Sequence, residues 1–171
     1  MMIKVLIDEE TLKKRIKELA REIEEYYLGK TDTIHAVCIL KGSIHFFSDL
    51  MLNIRKLNVK YSFIHVSSYQ GTSSTGRIRV KSWIDESIHD EYVLLVEDIV
   101  DTGLTLQYIV RYLKKYNPRD FRIVSLIEKT VHDHGVPLDF VGFRVDDKFL
   151  VGYGLDIDEK YRNLPYIGYV E

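Results

Sequence analysis

Apolar residues recur at Leu12, Ile16, Leu19, Ile23 and Tyr27, three to four positions apart, the spacing that collects one face of an α-helix. Asp8 precedes this run as a capping residue and Gly29 follows it as a stop, so the pattern predicts a helix reaching about Leu28. Ile34 to Leu40 is nearly continuously apolar, as a strand covered on both faces would be. Lys41-Gly42-Ser43 breaks it, and Ile44, Phe47, Leu50, Met51 and Ile54 then fall on one side of a second helix. Val59 to Val66 alternates, with Tyr61, Phe63 and His65 on one face. From Ser67 to Gly76 the chain is too polar and too rich in Gly and Ser to bury anything, and Ile78, Val80 and Ser82 then alternate with basic residues. A long hairpin or a mobile flap over about residues 67–79 with an exposed returning strand is expected there.

Tyr92 to Val96 is the most strand-like run and ends in Glu97-Asp98. A loop with Asp101-Thr102-Gly103 leads into a predicted helix from Leu104 to about Tyr116, which Asn117-Pro118 terminates. Phe121 to Ile127 reads as a further strand, and Asp139 to Gly152 as two short strands broken at Asp146-Asp147. A loop-rich tail carries Arg162, Pro165 and several tyrosines. Strands alternating with helices predict an α/β fold, a twisted and mainly parallel sheet flanked by helices.

Length and composition narrow the possibilities. A chain of 171 residues without linker or repeat is one domain, large enough to bury a core without disulfides or metals. With 24 basic against 26 acidic side chains, the net charge is −2, so a net basic field for nucleic acid is missing. Cys38 is the only cysteine, which excludes an intrachain disulfide, a Cys-rich zinc site and a CxxC redox motif. Met1 to Asp8 lacks a signal-peptide apolar stretch, and no uncharged apolar run approaches the ~18 residues of a membrane span. A cytoplasmic protein is expected, without membrane or nucleic-acid partners.

The chemistry concentrates in Glu97-Asp98-Ile99-Val100-Asp101-Thr102-Gly103-Leu104-Thr105. A buried parallel strand brings two adjacent carboxylates to its C-terminal end, where open α/β sheets bind ligands. A third carboxylate, two threonines and a glycine then open a helix whose free N–H groups and dipole attract phosphate. One side of this loop suits an anion; the other suits hydroxyl groups or a divalent cation. A sugar phosphate meets both demands. Without a Gly-x-x-x-x-Gly-Lys before the helix, this is not a Walker loop.

This segment resembles the phosphoribosyl-pyrophosphate (PRPP) signature of the type I phosphoribosyltransferases, and in detail that of the bacterial, short-form hypoxanthine-guanine branch. The resemblance extends over essentially the whole chain. It takes in Leu40-Lys41-Gly42-Ser43, Ser68-Tyr69, Lys129, the run Asp147 to Asp156, and Tyr161 to Gly168. It implies a small hood on the sheet built from about residues 1–10 and 145–171. It also implies purine salvage: transfer of the 5-phosphoribosyl group from PRPP to hypoxanthine or guanine, giving IMP or GMP and pyrophosphate. By that resemblance Glu97 and Asp98 hold the ribose hydroxyls, Asp101 to Thr105 wrap the 5′-phosphate, and Asp101 handles a proton at purine N7. Lys41 and Gly42 form a pyrophosphate loop, which in the family often carries a non-proline cis peptide, and Arg162 contacts pyrophosphate. Lys129 donates to the purine 6-oxo group, Phe149 stacks on the ring, and the Leu150 backbone meets its edge. Asp156, beside the base, ligates Mg²⁺ directly or through water, with Glu97 and Asp98 as further metal-site acids. Ser68 and Tyr69 lie innermost in the flap, and family members are homodimers or homotetramers, the helix from Ile44 to Ile54 being a candidate contact.

Other features are read more plainly. His132-Asp133-His134 is expected to face solvent, Trp83 to serve packing or a subunit contact, and Lys13, Lys14, Arg15 and Lys17 to form the wet face of the first helix. Asp146-Asp147 stands where the family more often has Pro-Asp, and the divergent loop after Lys129 borders the base pocket. A xanthine-preferring enzyme and a PRPP-sensing RNA-binding regulator on the same fold are the competing readings. Retention of Asp101 and the acidic balance speak against the regulator.

Overall fold

The structure is a computed structural model, and it describes residues 1–69 and 77–171. Of the flap, residues 70–76 and the side chains of Ser68 and Tyr69 lie outside what is described. Strand β1 (Ile3–Ile7) leads into helix α1 (Glu9–Tyr27). The Asp8 side chain accepts a hydrogen bond from the Thr11 N–H at 2.8 Å, an N-cap that satisfies one of the helix's orphan donors. Leu12, Ile16, Leu19, Ile23 and Tyr27 are all buried, and Gly29 turns the chain at φ 81°.

Strand β2 (Thr33–Leu40), helix α2 (Ile44–Asn53) and strand β3 (Asn58–Tyr69) form one right-to-edge half of the sheet, and β4 (Arg77–Ser82) pairs antiparallel with β3 as its edge. Strand β5 (Tyr92–Val100), helix α3 (Leu104–Lys114), β6 (Asp120–Lys129) and β7 (Phe140–Val145) form the other half. The order is β4-β3-β2-β5-β6-β7, parallel throughout except for β4. After β2 the chain crosses outward to β3, and after β5 it crosses outward the other way to β6. The C-terminal ends of β2 and β5 therefore flank the crevice where the connections diverge, the place an α/β sheet offers a ligand.

Both faces of the central strands β2 and β5 are covered, which explains their unbroken apolar runs. Leu94 and Val96 of β5 face a core shared with α1 and α2, while Val93 and Leu95 face a second core under α3. Trp83 packs partly buried against the α3-side core.

Three details differ from the sequence pattern. In α2 the buried residues are Phe46, Phe47, Leu50 and Met51, whereas Ile44 is exposed. Phe47, Leu50, Met51 and Ile54, just past the helix end, are inward as the spacing predicts, and only Ile44 departs, with Phe46 buried at the helix start in its stead. Strand β5 continues through Glu97 and Asp98 to Val100, because its polar C-terminal residues still ladder onto β6. The tail is not all loop: β9 (Ile167–Val170) pairs with β1 and with the two-residue strand β8 (Leu150–Val151) in a separate three-stranded sheet. Its central pairing is with β1 at the opposite end of the chain, and β8 adds only two residues, so local patterning carries little sign of it.

Candidate active site

A cleft of about 420 Å³ opens over the ends of β2 and β5, lined by Lys41, Gly42, Glu97, Asp98, Asp156 and Arg162 among others. A cavity of similar size (about 490 Å³) lies beside α1 and α2, away from the strand ends and their acid pair. The chemistry favours the strand-end cleft.

Its floor is held by close backbone approaches. A Cβ on Gly42 would collide with the Asp98 carboxylate, and a Cβ on Gly154 would collide with the Gly42 carbonyl. Three segments distant in sequence thus stack through two glycines, which alone leave the space. The cis peptide lies between Leu40 and Lys41, one bond before the Lys41-Gly42 peptide. Asp98 accepts from the Ile99 N–H at 2.7 Å, while Glu97 accepts from the Asp98 N–H at 2.9 Å and from the buried Ser43 hydroxyl at 3.3 Å.

The turn after β5 presents an open helix start. Gly103 adopts φ 78° at the N-cap of α3, and no side chain caps the helix. The first N–H groups are thereby left for a bound anion, with Thr105 lining the cleft beside them. A Cβ on Gly103 would lie 2.6 Å from the His134 Cβ, so the loop after β6 packs directly onto this turn. Lys129, the last residue of β6, is buried, with its ammonium 3.4 Å from one Asp101 oxygen. The other Asp101 oxygen is buried without a hydrogen-bond partner, although His132 Nε2 stands 3.3 Å away.

Across the cleft, Arg162 donates to the Gly154 carbonyl at 2.6 Å and lies 3.5 Å from Asp156. Phe149 is 58% exposed, which core packing does not account for. Val170 N–H donates to the Phe149 carbonyl at 3.0 Å, so these two residues form the bonded pair of the β8–β9 ladder. Alternation makes Leu150 opposite Tyr169 the non-bonded pair, and the Leu150 N–H and C=O point away from β9 at the free edge.

Residues 4–158 match the family model of the phosphoribosyl transferase domain. The chain belongs to the phosphoribosyltransferase family. Among the curated relatives of this phosphoribosyltransferase is the hypoxanthine-guanine phosphoribosyltransferase of Bacillus subtilis, 42% identical over 96% of this chain and 91% of the relative. The hypoxanthine-guanine-xanthine phosphoribosyltransferase of Tritrichomonas foetus is 36% identical over 96% and 90% respectively. A crystal structure of a hypoxanthine-guanine phosphoribosyltransferase from Bacillus anthracis superposes with a TM-score of 0.91, at 39% identity, covering 99% of this chain and all of that one.

The electrostatics of the phosphoribosyltransferase cleft are uneven. Burial, and then the neighbouring Asp98, hold the Glu97 carboxyl well above the usual carboxylate range. A carboxyl raised in this way makes ionisation costlier in the folded than in the unfolded chain, so its contribution turns against folding as pH rises above about 4.5. Glu97→Gln is expected to raise the unfolding midpoint of the ligand-free protein, by about 2–4 °C for each ~1 kcal/mol relieved, and to weaken PRPP binding. Thermal denaturation and calorimetry check the two effects.

Pattern reading overlooked two residues. Glu159 binds both cations of the expected pyrophosphate site, accepting from Lys41 at 3.2 Å and from Arg162 at 3.1 and 3.3 Å. These donors hold its carboxyl below the ordinary range. Its place between Asp156 and Arg162 was the available signal. His132 is exposed, as expected, yet its Nε2 stands 3.3 Å from Asp101, whereas His134 is drawn inward to Glu128 at 2.6 Å. Among the described residues, no group of three ligating side chains forms a ready-made metal cage.

Proposed function

We propose that this chain salvages purines by transferring the 5-phosphoribosyl group of PRPP to hypoxanthine and guanine, yielding IMP or GMP and pyrophosphate. The observation that carries this reading is the strand-end cleft of a phosphoribosyltransferase in which Lys129 is buried against Asp101. An ammonium has three donors and no acceptor, so it matches a 6-oxo group and cannot receive a hydrogen bond from a 6-amino group. Asp101 takes the proton at purine N7, Phe149 stacks on the ring, and the outward Leu150 backbone meets the base edge. Glu97 and Asp98 hold the ribose hydroxyls, and Asp101 to Thr105 hold the 5′-phosphate at the uncapped start of α3.

Mg²⁺ fits this set of hard oxygen donors. It accepts one or two carboxylates together with substrate phosphates and waters, and Asp156 and Asp98 line the same cleft. Bound there, the ion would offset the charge of the departing pyrophosphate, with Lys41 and Arg162 supplying fixed positive charge beside it. Because Glu159 already occupies both cations, an incoming pyrophosphate has to displace it. Glu159→Gln is expected to tighten inhibition by pyrophosphate by a few-fold, the modest scale of exposed ion pairs. Product-inhibition kinetics measure it.

Assembly as a homodimer or homotetramer is supported by the exposed apolar face where Ile44, Tyr61 and Phe63 are each 45–47% accessible. No helix among the described residues is long and apolar enough to cross a membrane, and a cytoplasmic setting accords with the single buried cysteine. Initial rates with each of the four purines at saturating PRPP and Mg²⁺ test the reading. Pyrophosphate release with hypoxanthine and guanine is expected and none with adenine; the xanthine rate settles whether this chain shares the breadth named for the T. foetus relative. Release with adenine alone would remove the assignment.

A further inference from the structure

The transfer reaction leaves a proton behind. When a neutral 6-oxopurine forms its new C–N bond and pyrophosphate departs, one ring-nitrogen proton must leave the base, and on the reading above Asp101 receives it. That carboxyl must shed the proton before the next substrate arrives.

The surroundings of Asp101 differ on its two sides. Lys129 lies 3.4 Å from one oxygen, buried and already protonated, so it can accept nothing. The other oxygen is buried and lacks a hydrogen-bond partner, with His132 Nε2 at 3.3 Å. The His132 side chain is 49% exposed, reaching from the carboxylate to solvent. The carboxylate of its neighbour Asp133 accepts from the Gly135 N–H at 3.2 Å. His134 cannot substitute, because Nε2 is engaged by Glu128 at 2.6 Å and Nδ1 lies 3.2 Å from the Val136 N–H. Imidazole is the side chain that takes up and releases protons between about pH 5 and 8, and it does so on two different nitrogens.

We propose that His132 is the proton outlet of the active site, a positioning residue that acts through Asp101. Resting on the proton-handling assignment of Asp101, the sequence balances as follows. The base's ring N–H proton passes to the Asp101 carboxylate as the C–N bond forms. The carboxyl O–H then gives that proton to neutral His132 Nε2, and Nδ1–H releases one to water. Asp101 ends ionised and His132 neutral, in the opposite tautomer, which exchange with solvent resets.

The test compares the first turnover with later ones. In His132→Gln and His132→Ala, nucleotide formation in the first turnover should keep its rate, while steady-state turnover falls about ten-fold, less than the 10²–10⁴ of losing a direct acid or base. The unaltered enzyme should show a rising limb of steady-state turnover within roughly pH 5–8, absent from both variants, and added imidazole should restore much of the Ala variant's rate. Loss of the first turnover to the same degree as later ones, or an unchanged pH limb, would overturn the outlet. Asp101→Ala, run in parallel, separates the two assignments. If it keeps its first turnover, the proton-handling reading itself fails; if it loses the first turnover while both His132 variants behave as the unaltered enzyme, only the outlet fails.

Discussion

Asp101→Ala is expected to lower turnover by about two to four powers of ten, the scale for a positioned acid or base, while unfolding near the temperature of the unaltered protein. The two halves of this expectation have different origins. Asp101 lies in the turn after β5 and is 41% exposed at its side chain, so its removal opens no core cavity. It does remove the partner of the buried Lys129 ammonium, which solvent reaching the emptied turn can hydrate in part. Two carboxylate oxygens, one beside a buried ammonium and one without a hydrogen bond, are a poor use of charge for a purely structural turn. Steady-state kinetics with hypoxanthine, paired with thermal denaturation, check it. Near-normal turnover with a lowered melting temperature would reverse the assignment and make Asp101 a turn residue.

Gly154→Ala is expected to damage both folding and activity, in contrast. Gly154 adopts φ 101°, and its missing Cβ would run into the Gly42 carbonyl. An L-side chain costs of order 1–3 kcal/mol in such a conformation, and here the obstructing atoms are backbone, which cannot swing aside. For a domain of this size about 3 kcal/mol corresponds to a fall of roughly 6–12 °C in midpoint. The chain can escape only by moving residues 152–156 away from the Lys41-Gly42 loop, which separates Asp156 and Arg162 from the acid pair. Affinity for PRPP should therefore fall alongside the melting temperature, and calorimetry below the unfolding range distinguishes the second loss from the first. An unchanged midpoint would mean that the hood and sheet are not in contact there.

The parts that were legible in the sequence are those where one local force dominates. Helix α1 is written in a clean apolar rhythm with a capping Asp8, and all five of its predicted inward residues are buried. Strands β2 and β5 announce themselves because two-sided burial demands unbroken apolar runs. What escaped depends on partners remote in sequence. Strand β9 has only four residues and depends mainly on its pairing with β1, 160 or more positions earlier. Glu159 and His132 look like ordinary solvated residues until folding places one on Lys41 and Arg162 and the other on Asp101. In α2 the predicted face holds at Phe47, Leu50, Met51 and Ile54, and only Ile44 departs, because the adjacent Phe46 is buried as well and fills the inward side of the first turn.

Cys38 sits in β2 with both faces of the strand covered, and the same burial, together with Glu97 and Asp98, pushes its thiol far above the range in which it ionises. It cannot react where it lies. An alkylating reagent must therefore wait for the two central strands to part, which makes its labelling rate a clock for that opening. A ligand that grips the ends of β2 and β5 together should slow the clock in proportion to its occupancy. The chain thus carries its own reporter of how tightly the nucleotide precursor clasps the middle of the sheet.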